Sequence, residues 1–326
     1  SRVVPPAVES AREGSFAPSP FRAGSERYAS HTLHHESGPR GWQVRVVPNM
    51  YAALSGEGPA TRSGEPMFRE MPGIGSHEVV IETPRHDGRM DEMSREEVAV
   101  VVRVWRERYR ALIARPDARA VVVFKNFGTL AGTSLTHPHS QIVATPVFLP
   151  RLLRRLDVAT RYFDEHGICV YDELIEAERR AAVRMIDEVG GFVAFEPWAA
   201  QTPFETWIAP TFHHGSFGDL ADDAVDDLAD ILIRTLTAVR RACGDPDFNL
   251  VMYSAPTNGG HAEQVFHWHL KLIPRISTQA GFEIGSAMAI NTVAPEDAAD
   301  ALREALATPS SPSRSSSDPH RSAPRA

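Results

Sequence analysis

The sequence predicts an α+β fold made of two similar halves, and three observations predict it. Short strands rich in β-branched residues alternate with long amphipathic helices. The order of strands and helices then recurs once along the chain, which is the signature of an internal repeat. Each copy closes on a His-x-His pair, His137-Pro-His139 and His267-Trp-His269, 51 residues after His86 in one copy and 54 after His213 in the other. The length of 326 residues also exceeds the usual single-domain span of roughly 100 to 200.

Taken in order, residues 1–18 mix Pro, Ser and Gly and are expected to be disordered. The first half is expected over 19–150. Within it Gln43–Val47, His77–Thr83, Ala120–Lys125 and Gln141–Thr145 have the composition and flanking breakers of strands. Met93–Ala114 reads as a helix, because Ser94 and Glu97 form a capping-box pattern and Val98, Val101, Val102 and Trp105 share one face. Residues 56–75 are rich in Gly, Pro and Ser and read as a surface loop that could reach over a neighbouring site or a partner subunit. Residues 151–190 read as a charged, helical connection. The second half is expected over 191–306, with strands Phe192–Phe195, Phe204–Pro210, Phe248–Tyr253 and His267–Pro274 and a helix over Asp219–Ala242. The segment ending Glu82-Thr83-Pro84-Arg85-His86 matches Ile208-Ala209-Pro210-Thr211-Phe212-His213. The Ser-, Pro-, Arg- and Ala-rich stretch 307–326 is expected to be a disordered tail.

Composition narrows the function. With 42% hydrophobic residues, 23% charged residues and a net charge of -8, the chain lacks the basic excess that binding a phosphate backbone requires, so nucleic acid is not an expected partner. No apolar run approaches the ~18 residues of a membrane span, and no charged segment precedes an apolar core at the N-terminus, so a cytoplasmic location without membrane association is expected. Cys169 and Cys243 are too few for a disulfide framework or a cysteine zinc site and read as core thiols.

The chemistry concentrates between Lys125 and Gln141. Asn126, Gly128, Gly132, Thr133 and Ser134 form a loop of the composition that cradles phosphate: glycines let backbone amides approach, Asn126 and Ser134 can donate, and Lys125 supplies charge nearby. On a strand His137, His139 and Gln141 share one face. A neutral histidine here can attack an α-phosphorus through a ring nitrogen, giving a covalent nucleotidyl intermediate. A hydrogen bond from its other ring N–H would fix the tautomer. Gln141 can donate to a phosphoryl oxygen without supplying a titratable proton, which favours transfer over hydrolysis. For His267 and His269 packing beside Trp268 is as good a reading as function. Lys271, two residues beyond His269, reads either as a phosphate or sugar-phosphate contact or as a solvated lysine.

These residues resemble the galactose-1-phosphate uridylyltransferase family, the transferase branch of the histidine-triad superfamily. The resemblance covers about Ser19 to Leu306. It rests on Gly132 to Gln141, Pro48-Asn49-Met50-Tyr51-Ala52-Ala53-Leu54, His77 to His86, Phe195 to Pro210, Phe266 to Arg275 and Gly281-Phe282-Glu283. It implies two histidine-triad-like half-domains, each an antiparallel sheet with packed helices, and a homodimer. It also implies that His139 is the nucleophile, Gln141 steadies the phosphoryl group, Ser134 contacts the phosphates, Asn49 lies near the nucleoside, and Phe282 and Glu283 lie in the sugar region. The implied activity exchanges a nucleoside monophosphate between a nucleotide sugar and a sugar 1-phosphate. The alternatives are a phosphorylase that releases a nucleoside diphosphate from ADP-glucose with phosphate as acceptor, a nucleotide hydrolase, and a nucleotide-binding module without catalysis.

Three departures qualify the resemblance. Many members bind zinc through a Cys-Pro-Phe-Cys segment and two histidines. Here that segment reads Ser19-Pro20-Phe21-Arg22, with His86 and His137 at the histidine positions, so no zinc and no other cofactor is expected and His137 becomes an orienting residue. A second metal site of some members, which includes the histidines matching His267 and His269, is incomplete because Tyr253 stands where another histidine would. Asn49-Met50 replaces the Asn-Asp of some uridylyltransferases, which leaves uridine and adenine both open, as is the sugar.

Overall fold

The computed structural model describes residues 21–22, 24, 31–39, 41–133, 135–256 and 260–308. Ser19, Ser134, the segment 1–18 and the tail beyond Thr308 lie outside the described residues. The strands are β1 (His34–Gly38), β2 (Gly41–Pro48), β3 (Ser76–Ile81), β4 (Ala120–Phe127), β5 (His139–Thr145), β6 (Met185–Val189), β7 (Phe192–Phe195), β8 (Thr206–Pro210), β9 (Phe248–Tyr253) and β10 (His269–Pro274). They form one antiparallel sheet in the order β1-β2-β3-β5-β4-β9-β10-β8-β7-β6. Read outward from the centre, β4-β5-β3-β2-β1 and β9-β10-β8-β7-β6 are the same arrangement twice. The two copies meet where β4 pairs with β9, from Phe124 opposite Val251 to Phe127 opposite Phe248.

Alternation along the strands sorts the side chains into two faces. One face is apolar across both halves and is covered by α1 (Arg95–Ile113), α4 (Val225–Cys243) and α7 (Pro295–Ala307). Val98, Val102 and Trp105 of α1 and Leu228, Leu232 and Leu236 of α4 pack there against Val80, Val123, Ile142, Leu250 and Leu270. The capping box at α1 is made as its sequence requires: the Ser94 hydroxyl accepts from the Glu97 amide, and the Glu97 carboxylate accepts from the Ser94 amide. Two polar tips inside this layer are paired, Trp105 Nε1–H donating to Ser140 Oγ at 2.6 Å and Tyr109 bonded to Ser254 at 2.7 Å. The second bond ties a first-half helix to the end of a second-half strand.

The opposite face is covered unevenly. Over the second half lie α2 (Pro150–His166), α3 (Val170–Ala181) and α5 (Gly260–Val265). Leu152, Tyr171 and Phe266 pack there with Trp207 and Tyr253, and Ile175 packs on Val193, Phe195 and Ala209. Over the first half Phe21 and the partly buried Trp42 join Val47, Val79 and Ile81 among the described residues, with no helix in that cluster. The first half therefore keeps a strand face on which His77, Phe124, Asn126, His139 and Gln141 are presented.

Several expected boundaries differ. Met185–Val189, read as part of a helical connection, is the edge strand β6, and β1 forms the other edge. Both are five residues long, too short to establish a period; β1, His34-His35-Glu36-Ser37-Gly38, is also polar, the usual character of an exposed edge, while β6, Met185-Ile186-Asp187-Glu188-Val189, follows a charged helix. The helix expected from Asp219 begins at Val225, after a tight turn at Phe217–Asp219. Strand β10 begins at His269 rather than His267, and α7 runs through Ala307, which had been assigned to the tail.

The layering sets stability expectations. Leu228→Ala, at a site with no solvent exposure, should destabilise the fold by about 2–5 kcal/mol, whereas Ser94→Ala, which removes only a helix cap, should cost about 1 kcal/mol. Urea unfolding of the two variants checks the ordering, and equal losses would contradict it.

Candidate active site

His139 opens β5 and is buried. Its Nδ1 lies 2.8 Å from the His137 carbonyl oxygen. A carbonyl can only accept, so Nδ1 carries the proton and Nε2 holds a bare lone pair. No donor is placed on Nε2 among the described residues. Burial lowers the pKa of His139, and the nearby Lys125 charge lowers it further, both favouring the neutral ring. His137 is held in turn: its Nε2–H donates to the Thr83 carbonyl at 2.7 Å, and its Nδ1 lies 3.4 Å from Nδ1 of His86. Burial pushes His137 down to about 4, so it accepts from His86 as a neutral ring.

Two residues further along β5, Gln141 Oε1 lies 2.7 Å from His77 Nε2 and 3.3 Å from Asn49 Nδ2. Asn49 and Gln141, expected in one site, are in direct contact. His77 was not foreseen, because its place opposite β5 depends on the β3–β5 register and not on any local motif. The loop after β4 is built across the two halves. Asp247 accepts from the Leu130 amide at 2.6 Å, and Asn249 Nδ2 reaches both Asn126 Oδ1 and the Ala131 carbonyl at 2.9 Å. Gly128 is required here: its φ is 84°, and a Cβ would overlap the Asp247 carboxylate. Gly132, φ 90°, and Thr133, whose amide bonds the Gly128 carbonyl, complete the turn.

The two lysines are placed differently from expectation. Lys125 shares the parity of Val121 and Val123, so it points into the helix-covered layer, away from His139 and Gln141. It is buried there and paired with Glu82 at 2.6 Å, while also donating to the His139 carbonyl at 3.2 Å. It is not a phosphate ligand; its charge acts on His139 through the strand. Lys271 shares the face of His269 but is buried and paired with Glu205 at 2.6 Å, outside the His139 cluster. Glu283 caps its own short helix α6 (Gly281–Ser286) through the Ala280 amide, and Phe282 is exposed. No hydrogen bond among the described residues joins α6 to His139.

The second His-x-His repeats the first up to its last nitrogen. His269 Nδ1–H donates to the His267 carbonyl at 3.0 Å, as in the first half. Its Nε2, however, accepts from the Arg155 guanidinium at 3.1 Å, and its ring stacks on Trp207 at 4.2 Å. Arg155 also sits 4.0 Å above the Tyr253 ring, so a guanidinium occupies the neighbourhood where a metal would need anionic ligands. His269 has no available lone pair, and its role is packing.

Two places bring possible metal donors together. His86 and His137 offer two imidazoles and no third ligand atom among the described residues, and the Arg22 charge is close enough to lower His137 further. They do not fit a divalent cation. In the second half Cys169, Asp172 and His213 bring ligand atoms within 4.8 Å of one another. Asp172 accepts from both His213 and His267 at 2.7 Å. The bond to Asp172 pushes His213 up to about 10, while Asp172, despite burial, is held at about 2 by the two histidines. This donor set fits a cation that displaces the His213 proton, and its role would be to tie α3 to the sheet. The Cys169-x-x-Asp172 spacing, which echoes Ser19 and Arg22, was the overlooked signal.

The arrangement has clear relatives. Residues 31–148 match the family model of the galactose-1-phosphate uridyl transferase N-terminal domain. The chain is 35% identical over 271 residues to an ADP-glucose phosphorylase of Arabidopsis thaliana, covering 82% of this chain and 76% of that one. It is 28% identical over 275 residues to a galactose-1-phosphate uridylyltransferase of Thermotoga maritima, covering 82% and 86%. Among solved structures, an Arabidopsis thaliana ADP-glucose phosphorylase with bound ADP-glucose superposes with a TM-score of 0.79 at 32% identity, over 90% of this chain and 92% of that one. A uridylyltransferase does so at 0.78 and 28%, with the same coverage. With its His-x-His-x-Gln strand, its doubled antiparallel sheet and these likenesses, the chain belongs to the galactose-1-phosphate uridylyltransferase family of enzymes.

Proposed function

We propose that the chain moves a nucleoside monophosphate between a nucleotide sugar and a sugar 1-phosphate through a covalent nucleotidyl-His139. The observation that carries this reading is the bare Nε2 of His139, set against the capped Nε2 of His269. In the first step the Nε2 lone pair attacks the α-phosphorus. The bond from that phosphorus to the oxygen bridging the two phosphates breaks, and the sugar 1-phosphate leaves with the electron pair. The ring gains positive charge, which Nδ1–H shares with the His137 carbonyl. In the second step an oxygen of the acceptor attacks the same phosphorus, the P–N bond breaks and the neutral ring returns. Neither step needs a proton from a side chain, which agrees with glutamine rather than an acid at position 141. The amides of Leu130, Ala131, Gly132 and Thr133 are already engaged by Asp247 and by the loop's own carbonyls, so the loop shapes the site and Gln141 is left as the donor to the phosphoryl oxygens.

The leading substrates are a UDP-hexose and a hexose 1-phosphate. A second reading, with ADP-glucose as donor and phosphate as acceptor, is favoured by the 35% identity to an ADP-glucose phosphorylase. Incubating the protein with UDP-glucose or ADP-glucose, with and without hexose 1-phosphate or phosphate, separates them. A new nucleotide sugar with UDP-glucose and sugar phosphate supports the first; ADP from ADP-glucose and phosphate supports the second.

Denatured protein trapped with its donor should gain one nucleoside monophosphate, acid-labile and located at His139. His139→Ala should lose the adduct, His139→Gly should regain transfer with added imidazole, and Gln141→Ala should slow adduct formation by roughly 10²-fold. Because the folded-state pKa of His139 is depressed, the lone pair should survive below pH 6.5, and the single-turnover rate should fall only on further acidification. Label on His269, or full activity in His139→Ala, would overturn the assignment.

Neither zinc nor another cofactor takes part in this reading at His86 and His137. The zinc content of protein purified without added metal should be the same in wild type and His86→Ala. A chelator-resistant equivalent lost on that substitution would contradict it.

A further inference from the structure

Gln141 is gripped by its neighbours in a way that fixes which end of its amide faces the site. The proof begins with two backbone amides, which can only donate. Ala53 N–H donates to His77 Nδ1 at 3.0 Å, so Nδ1 is the bare nitrogen and the neutral ring carries its proton on Nε2. Tyr51 N–H donates to Asn49 Oδ1 at 2.9 Å, so the other end of the Asn49 amide is its NH₂. Two donors, His77 Nε2–H at 2.7 Å and Asn49 Nδ2–H at 3.3 Å, therefore converge on Gln141 Oε1. The 3.1 Å approach of Asn49 Nδ2 to His77 Nε2 is the meeting of two donors at one oxygen. Both lone pairs of that oxygen are engaged. A flipped Gln141 would set its NH₂ against two N–H groups. Its NH₂ must point away from them.

We propose that His77 is a positioning residue for nucleotidyl transfer: its Nε2–H holds the Gln141 carbonyl so that the glutamine NH₂ is offered to the phosphoryl group on His139. The inference rests on the reading of His139 and Gln141 above and adds a residue to it. Rotation about the last bond of a glutamine is nearly free in water, and an unguided amide would present its oxygen to phosphate as readily as its nitrogen. An oxygen there would repel the developing charge, while a held NH₂ loses no time or free energy to reorientation. His77 also receives the Asn49 amide at its own carbonyl, at 2.8 Å, so one residue anchors both the 49–53 segment and the catalytic amide. Asn49 makes the longer bond and is the weaker of the two supports.

The test is rapid-quench measurement of nucleotidyl-His139 formation with UDP-glucose and ADP-glucose in His77→Ala, His77→Gln, His77→Asn, Gln141→Ala and the His77→Ala/Gln141→Ala double variant. His77→Ala should slow adduct formation about tenfold, while the donor concentration for half-maximal rate changes less. His77→Gln places a terminal NH₂ near the lost Nε2–H and should recover to within about threefold of wild type. His77→Asn replaces only the Nδ1 acceptor and should stay slow. The double variant should be no slower than Gln141→Ala alone, because His77 acts through that amide. A wild-type rate in His77→Ala, losses that multiply in the double variant, or equal rates in His77→Gln and His77→Asn would overturn the proposal. If His77→Ala does not fold, the comparison of His77→Gln with His77→Asn decides it. Absence of any adduct in wild type would instead remove the reading on which the inference stands.

Discussion

The pairing of β4 with β9 is the contact on which the remaining structure depends. Without it each half would end in an open edge at the centre of the molecule, with unpaired backbone groups along four residues. With it, one apolar layer runs beneath both halves, and α1 and α4 pack on each other as well as on the sheet. The pairing also fixes chemistry. It sets Asn249 directly opposite Asn126, so a second-half side chain holds the start of the glycine-rich loop, and it brings Asp247 under Gly128 and Leu130. The site faces solvent from the first half, but its loop is founded on the second.

The duplication explains why two His-x-His motifs are present, and their coverings explain why only one leaves its second histidine open. Both use the same lock, in which the second histidine donates to the carbonyl of the first. That bond costs nothing specific to catalysis, since it satisfies a buried ring nitrogen wherever the motif is folded. What separates the copies is what covers the strand. In the second half α2 brings Arg155 onto His269 Nε2, and Trp207, Tyr253 and Tyr171 surround the ring. Among the described residues no helix covers the first half in this way, so the same tautomer leaves an open lone pair. At the i+2 position the copies diverge in the same sense, with Gln141 held by neutral donors and Lys271 neutralised by Glu205.

Much of this was legible in the sequence for physical reasons. The core strands and α1 announce themselves because apolar periodicity and the Ser94–Glu97 cap are local properties. The repeat was visible because both copies keep the same histidine spacing, and both histidine pairs make the same internal bond. The edge strands β1 and β6 were hidden because five residues are too few to show a period, and β1 is polar besides, as suits a solvent-facing edge. The orientation of Lys125 could have been read from parity alone, since it lies in phase with Val121 and Val123; nearness to the glycine loop suggested a role that alternation forbids. The pairing of Asp172 with His213 and His267 depends on where α3 lands, and the grip of His77 on Gln141 depends on strand register. Neither is a local property, so neither could be read from spacing.

The same distinction bears on how hydrogen bonds and burial alone can hold His137 and keep the His139 ring neutral. A cation bound there would hold His137 by coordination. Here His137 is held by donating to Thr83 and by accepting from His86, and burial keeps it uncharged. A neutral His137 presents an unmodified carbonyl to His139, and that carbonyl is what selects the tautomer. Lys125 strengthens the arrangement from behind the strand: its ammonium is neutralised locally by Glu82 yet still disfavours a second positive charge on His139. Removing either partner of that buried pair would leave the other charge uncompensated, at a cost of about 3–5 kcal/mol, so the device persists as a pair. Burial is thus the main cause of the neutral His139 ring, and the lysine on the other face of the sheet adds to it.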